Sequence, residues 1–458
     1  MLNYLAIVKF CMTVSCLSVF IASCQPSRSD DQQQLQSTVA GISDIATKQL
    51  LPQAEVLPAS GDKQVLYGYT YHRADGNRLV GGMGDLPEQE PIDIRLGGIP
   101  AWIVSAPYED GSVWVTVSEE GDVQAFLLKG REVVDVGIDS EVLPEMMPPS
   151  LKVDGGSINL LVGIPGITSN TTSPVETLWG SGELFIGKNG DLIYRDKKVV
   201  AFEELDLLRD GLILQNDEGQ LLVLSEPTEQ YPHGVLGDEF EAKSISFITL
   251  FPEFSSRRIG VQQPLVIEGR SAIWADVNED GEDEIIVTAS ESQQGARLLI
   301  FGEDGALLAE STPIGQGFRW QHQIAVGPFG PHGEIELVSV RTPHIGGEVN
   351  YYRWEGDRLI LVANIDGFSS HVIGSRNLDM AIAGDFDGDG VPEVLVPDQA
   401  MLNLAGLQRV DSGVEVDWVL PIGSKLRSNL SVAVLANGSV VLGAGRADGV
   451  LRLWPTDD

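Results

Sequence analysis

The chain has 458 residues, and 43% hydrophobic with 21% charged content places it among folded proteins and excludes filaments, coiled coils and disordered chains. Its 51 glycines and 24 prolines work against long uninterrupted helices and favour many short strands joined by turns. A net charge of −36 repels a phosphate backbone over most of the surface, which excludes nucleic acid as a partner. Cys11, Cys16 and Cys24 all lie within the first 24 residues, so stability beyond them falls to packing and to any bound metal.

The first 23 residues read as an address. Met1 to Lys9 carries one positive charge, Phe10 to Ser23 is apolar, and Ile21-Ala22-Ser23-Cys24 closes the stretch. Those 14 apolar residues fall short of the ~20 that span a bilayer. The pattern resembles a bacterial lipoprotein signal; a plain secretory signal or a single membrane anchor is the other reading. The resemblance implies removal of residues 1–23 and acylation of Cys24, with several acyl chains giving stable attachment. Gln25 stands where an inner-membrane retention signal usually has Asp, which by the same resemblance implies the outer membrane, on its periplasmic or surface face. Residues 24–60, with Asp30-Asp31 and a glutamine run, read as a flexible tether with a weak helical period from Val39 to Leu51. No later stretch has membrane length.

From there the chain repeats. Ile273 to Val287 returns as Ile382 to Val396, and a copy in register, Ile324 to Val338, lies between them. The turn glycines are Gly281, Gly333 and Gly390, spaced 52 and 57 positions apart. Each unit holds about four β-rich runs, as in Ile273–Val277, Glu284–Ala289, Ala296–Phe301 and Leu307–Glu310. Earlier hairpin rhythm persists in Ser112–Val117 with Asp122–Leu128, Glu183–Ile186 with Asp191–Tyr194, and Gly211–Leu214 with Gln220–Leu224. Antiparallel repeats of this length predict an all-β, seven-bladed β-propeller over residues 61–458. The last unit shows three strands, Ser431–Leu435, Ser439–Leu442 and Gly449–Trp454, so an N-terminal strand, with Gln64–Tyr71 as the candidate, is expected to complete it and hide its edge.

The acidic loops carry the most specific chemistry. A hard cation needs six to eight oxygens, which alternate side chains of a tight loop can supply while glycine permits the turn. Asp276, Asn278 and Asp280 stand at positions one, three and five before Gly281, with the Glu282 carbonyl at seven and the Glu284 carboxylate at nine. Asp385, Asp387, Asp389, Gly390, the Val391 carbonyl and Glu393 repeat the pattern. The two loops resemble the FG-GAP or VCBS repeats of integrin-α-like propellers over residues 264–423, with calcium repeats at 264–314 and 369–423. The resemblance implies two calcium ions bound between strands of a blade. The middle copy has Pro328, Gly330 and His332 in place of the carboxylates. Two acidic turns that merely solvate a hairpin are the plain alternative. Both loops join first to second strands, so any metal sits on one face, in a structural role.

Second-to-third turns and blade connections fall on the opposite face, where propeller clefts usually open around a central channel. Gly317-Phe318-Arg319-Trp320-Gln321-His322 and Arg341-Thr342-Pro343-His344-Ile345 lie there, joined by Arg270, His371, Arg376, Asn377, Glu291, Asp398 and Arg446. Arginine gives bidentate contacts to a carboxylate and tryptophan a stacking face, so Arg319, Trp320, His322, Arg341, His344, His371 and Arg376 are candidates for an anionic glycan or a peptide carboxylate. They serve equally well as bridges between blades. No Gly-x-Ser-x-Gly elbow of a hydrolase is readable. A polysaccharide lyase using His322 or His344 as base beside Arg341 is the enzymatic alternative to an envelope-anchored binding or scaffold module for a protein or glycan ligand.

Overall fold

The computed structural model describes residues 65–138, 143–144, 147–178, 182–196 and 200–455; the signal, Cys24 and the tether lie outside them. Regular structure there is all strand, apart from a 3-10 turn at Leu86–Glu88.

The described strands form six hydrogen-bonded sheets, the largest of 13 strands, and divide into eight antiparallel meanders, numbered in chain order, with meanders four to six joined in the 13-stranded sheet. Meander one runs Pro100–Tyr108, Gly111–Ser118, Val123–Lys129 and Glu132–Val136. Meander two is the hairpin Ser150–Asp154 and Ser157–Leu161, completed by Leu66–Tyr69. Meanders three to six begin at Val175, Leu214, Ile273 and Gln321 and end at Glu204, Gly260, Ser311 and Asp366. Meander seven spans Ile382 to Pro421, and meander eight Leu426 to Trp454.

Eight arrays replace the seven expected from the spacing. The division by a constant period fails because the Ser150–Leu161 hairpin, too short to count as a repeat, becomes a sheet by borrowing Leu66–Tyr69 from far upstream. That borrowing also corrects the closing strand. Ile92–Arg95, rather than Gln64–Tyr71, pairs with Val450–Leu453 at the edge of meander eight. Ile92 and Ile94 pack into that meander's apolar layer, while Asp93 pairs with Arg446 and Arg452. Gly211–Leu214 contributes only its last residue to a strand, Leu214–Gln215.

First and second strands are the most buried, as in Gly111–Ser118, Glu284–Ser290 and Gln321–Gly327, because each meander is covered on both faces by its neighbours. Outer strands such as Arg358–Asp366 keep solvent-facing positions. Apolar layers accordingly lie between successive meanders: Ile300 with Val326 between five and six, Ala363 with Val396 between six and seven, Leu420 with Leu442 between seven and eight. The succession returns on itself, since Ile103, Trp114 and Phe126 of meander one share a layer with Val441 and Leu453 of meander eight.

Polar contacts reinforce that junction. The Ile103 N–H donates to Asn429 Oδ1 at 2.9 Å, Asn429 Nδ2 donates to the Ile103 carbonyl at 2.8 Å, and the Ser105 and Ser431 hydroxyls lie 2.8 Å apart. Asn429 thus acts as a short piece of strand between two first strands. Asn429→Ala should cost about 1–3 kcal/mol in equilibrium unfolding, because both Ile103 backbone groups lose their buried partner. A loss below about 0.5 kcal/mol, the level of a surface change, would show that the junction does not depend on it.

Between Tyr71 and Gly84 the chain runs as a strap along the first strands of successive meanders. The Ala74 carbonyl accepts from the Gln215 N–H, that of Asp75 from Trp274, and that of Arg78 from Ala383. Asn77 exchanges two hydrogen bonds with the Val326 backbone, at 2.9 and 3.0 Å. Leu79–Met83 then pairs parallel to Ile382–Asp385, and the Met83 N–H reaches the Gly438 carbonyl. Buried beside the strap, Arg78 Nε meets Asp379 Oδ1 at 2.7 Å.

Candidate metal centre and the opposite loop face

In the second acidic loop, one oxygen from each of Asp385, Asp387, Asp389 and Glu393 lies within 4.8 Å of the others, the one such metal-ready group among the described residues. Backbone donors set the carboxylates. Asp385 accepts from Gly388 and Gly390 at 2.8 and 3.1 Å, Asp387 from Asp389 at 3.1 Å, and Asp389 from Val391 at 2.7 Å. Glu393 is fully buried; its Oε2 accepts the Phe386 N–H at 2.9 Å, and its Oε1 has no partner. Burial, then the neighbouring Asp387 and Asp385, push its pKa up to about 9. Burial also raises that of Asp385. A buried carboxyl group with a bare oxygen among three aspartates fits a hard divalent cation, which supplies the missing partner and offsets the repulsion.

The first loop has the same backbone frame. Asp276 accepts from Asp280 and Gly281 at 3.2 and 2.9 Å, and Glu284 Oε2 from Val277 at 2.9 Å. Its Glu284 Oε1, however, already accepts from Asn278 Nδ2 at 2.9 Å. The amide at position three therefore occupies the oxygen that a cation would need. Position four differs as well: Glu279 has φ +61°, a conformation costly for a side chain, where the second loop has Gly388 at +84°. Glu282 stays on the exposed rim of this loop. The two loops, alike in sequence, are unequal as sites.

The opposite face gathers the expected cluster and buries its centre. Trp320 stacks on His322 at 4.9 Å and meets His371 edge-on at 5.2 Å. His344 Nε2 lies 2.7 Å from His371 Nδ1, and His371 Nε2 lies 2.7 Å from the Ser375 carbonyl. His322 Nδ1 is 2.9 Å from the Ser370 hydroxyl, with both residues buried. Burial lowers the pKa of His344 to about 4 and of His371 to about 3, and holds His322 well below the usual range, so all three are neutral at pH 7. Val235 and Leu236 of the 229–240 loop pack on Trp320 and Leu378, with His233 on Glu268 and Asp238 on Arg376.

The arginines are engaged too. Arg341 reaches Glu348 at 3.5 Å and the Ile314 carbonyl at 3.4 Å, and Arg319 reaches that carbonyl at 3.5 Å. Arg376 meets Asp210 and Asp238, and buried Arg270 donates to the Asp210, Arg376 and Thr171 carbonyls. Arg446 pairs with Asp93 and Asp448. Trp320, His322 and His371 are thus packed as a bridge between meanders, while Arg319 is exposed and Arg341, His344 and Arg376 are half-buried, each with a protein partner. The loop of residues 229–240 lies across the buried part of the cluster.

Two cavities flank the acidic loops. One of about 520 Å³ lies between Arg73, Asp75, Asn216, Asp276 and Pro328, and one of about 370 Å³ between Glu88, Asp389, Asp417 and Trp418. Asp417, on an outer strand that reads as ordinary alternation, gave no sequence signal of its place beside the loop.

No family model and no curated protein matches the chain. Among solved structures, the chain is similar to "Europium-containing methanol dehydrogenase" at TM-score 0.47 and 8% identity, covering 82% of this chain and 89% of that one. It is similar to "Structure of Dos1 propeller" at TM-score 0.40 and 7% identity, covering 82% and 97%. A chain of "Crystal Structure of Mitotic Checkpoint Complex" aligns at TM-score 0.42 and 12% identity, covering 90% and 98%. These likenesses are weak, and the architecture rests on the chain's own strands.

Proposed function

We propose that the chain is a calcium-stabilised β-propeller of eight blades with FG-GAP or VCBS-type loops, tethered through lipid on Cys24 at the bacterial outer membrane, where it binds or scaffolds a protein partner. Calcium is structural in this reading, and the second acidic loop is its principal site. The observation that carries the binding role is the contrast on the loop face. Trp320, His322 and His371 are packed shut, while the neighbouring tips Phe318, Ile345 and Ile373 are 55%, 82% and 68% exposed. His344 and His371 bring the Ile345 and Ile373 loops together, and Phe318 stacks on His233 at 5.3 Å. Apolar tips on a tied loop platform favour a protein partner over a glycan. The lyase alternative has less support: of its two candidate bases, His322 is 1% exposed, and half-buried His344 has its Nε2 2.7 Å from His371 Nδ1.

The test is site-specific photo-cross-linking in cells at Ile345, with Asp357 in a turn of the opposite end as control. A discrete adduct at Ile345, lost in Phe318→Asp and absent at Asp357, is expected. Equal labelling at both positions would overturn the loop face as the binding surface. In the same cells Cys24→Ser should leave the protein unprocessed or out of the membrane fraction; normal processing and fractionation would overturn the lipid tether.

A further inference from the structure

We propose that the His233–Glu268 pair is a pH-operated latch: protonated His233 holds the 229–240 loop down and supports the Phe318 tip, so partner binding at the loop face weakens as pH rises. The inference rests on the binding reading above and adds its regulation.

A buried charge comes first. Glu268 is 0% exposed, and its carboxylate oxygens are engaged by two groups only, Oε1 by His233 Nδ1 and Oε2 by the Ser290 hydroxyl. Among the described residues, His233 is its one ion-pair partner. Ala242 lies opposite Ile267 in the antiparallel register, which sets a second carboxyl group, Glu241, beside Glu268. Glu241 is 3% exposed and its Oε2 has no partner. Like charges facing each other across strands repel, and burial, then Glu268, raise the pKa of Glu241 well above the usual carboxylate range. Glu241 is the neutral member of the two. The charge on Glu268 is left to His233 to offset.

His233 also joins this buried pair to the exposed tip. Its ring stacks on Phe318 at 5.3 Å, and Tyr231 packs against both rings, at 5.9 Å from His233 and 5.0 Å from Phe318. The loop that carries it has no helix or strand between Thr228 and Glu241. Its other ties are few: Val235 and Leu236 pack on Trp320 and Leu378, the Gly374 N–H donates to the Val235 carbonyl at 2.9 Å, and Asp238 pairs with Arg376 at 2.9 Å. Glu268 itself reaches the buried centre of the face, since its carbonyl accepts the Trp320 indole N–H at 3.2 Å.

The direction follows from charge. Histidine is the side chain that ordinarily changes charge between about pH 5 and 8. A protonated His233 offsets the buried carboxylate; a neutral one leaves it uncompensated, which favours lifting the loop and letting water reach Glu268. Phe318 then loses the ring it stacks on. The charged groups on the surrounding elements are committed elsewhere: Arg376 to Asp238 and Asp210, Arg270 to the Asp210 carbonyl, Arg319 to the Ile314 carbonyl, Glu291 to the Gln293 N–H, and His344 to His371. None of these stands in for His233.

Hydrogen exchange of residues 229–240 in the full chain at about pH 6 and pH 8, corrected for the intrinsic rate, tests the latch. Protection there should fall about tenfold or more at the higher pH, the scale of a hydrogen bond to a charged group, while the strand Gln321–Gly327 keeps its protection. His233→Gln, neutral throughout, should show the low protection at both pH values. Glu268→Gln, which removes the buried charge, should show no pH trend. The Ile345 cross-link should lose most of its yield at the higher pH in the wild type and be equally weak at both in His233→Gln. Wild-type loop protection that is the same at both pH values, or a trend that survives in both variants, overturns the latch, and an Ile345 adduct then leaves the binding reading standing. A loop that responds to pH with no adduct at Ile345 at either value overturns the binding reading and leaves the latch.

Discussion

Replacing Arg78 with alanine should destabilise the protein by about 3–5 kcal/mol, the usual consequence of removing one partner from a buried ion pair. Arg78 and Asp379 have side chains only 2% and 3% exposed, and their 2.7 Å contact is supported by a hydrogen bond from Arg78 to the Gln323 carbonyl at 3.4 Å. Alanine would leave Asp379, whose pKa burial already raises, with its nearest cation gone. It would also free the strap at the point where it passes from meander six to meander seven. Replacing both residues with leucine should recover much of the loss, since an apolar pair carries no desolvation penalty. Equilibrium denaturation of the two variants decides the matter. Should the single variant lose less than about 1 kcal/mol, as exposed pairs do, the strap is not anchored by this pair.

If calcium occupies the second acidic loop as proposed, its removal should destabilise the protein in a pH-dependent way, with Glu393 as the controlling group. Its folded pKa of about 9 lies above the usual 4.5, so between those values the metal-free folded state holds a proton that the unfolded chain has released. Stability of the metal-free protein is therefore greatest below about pH 4.5 as far as this group is concerned, and falls as pH rises toward 9. Glu284, raised to about 7 chiefly by burial, adds a weaker trend of the same sign up to that value. Calcium must displace these protons, so its affinity should rise about tenfold per pH unit for each proton displaced, between pH 6 and 8. At a hundredfold excess over its dissociation constant the ion would add about 2.7 kcal/mol. Glu393→Gln, a neutral stand-in for the protonated acid, should abolish the tight site and flatten the trend. Calcium affinity that is equal at pH 6 and 8 would show that no buried carboxyl group is displaced.

The sequence by itself determined the all-β class, the strand runs of the later repeats, the spacing of the acidic loops and the need for an N-terminal strand in the last unit. Those features are written within some 15 residues: alternation, a turn glycine after the fifth loop position, carboxylates two apart. It also singled out the residues that meet around Trp320, because connections and second turns of consecutive repeats must share an end. Only the tertiary structure decided that the centre of this cluster is buried, that eight meanders form, and that Ile92–Arg95 supplies the final edge. It also decided that two near-identical loops differ, since Gly388 receives the strap and Asn278 ties up Glu284. The contacts responsible join positions far apart in the chain: Asn77 with Val326, Arg78 with Asp379, Ile103 with Asn429, at separations of 249, 301 and 326. Such pairs leave no periodic trace, because each partner is a single polar residue in an otherwise ordinary segment, and its choice is set by which backbone groups the folded neighbours leave unpaired.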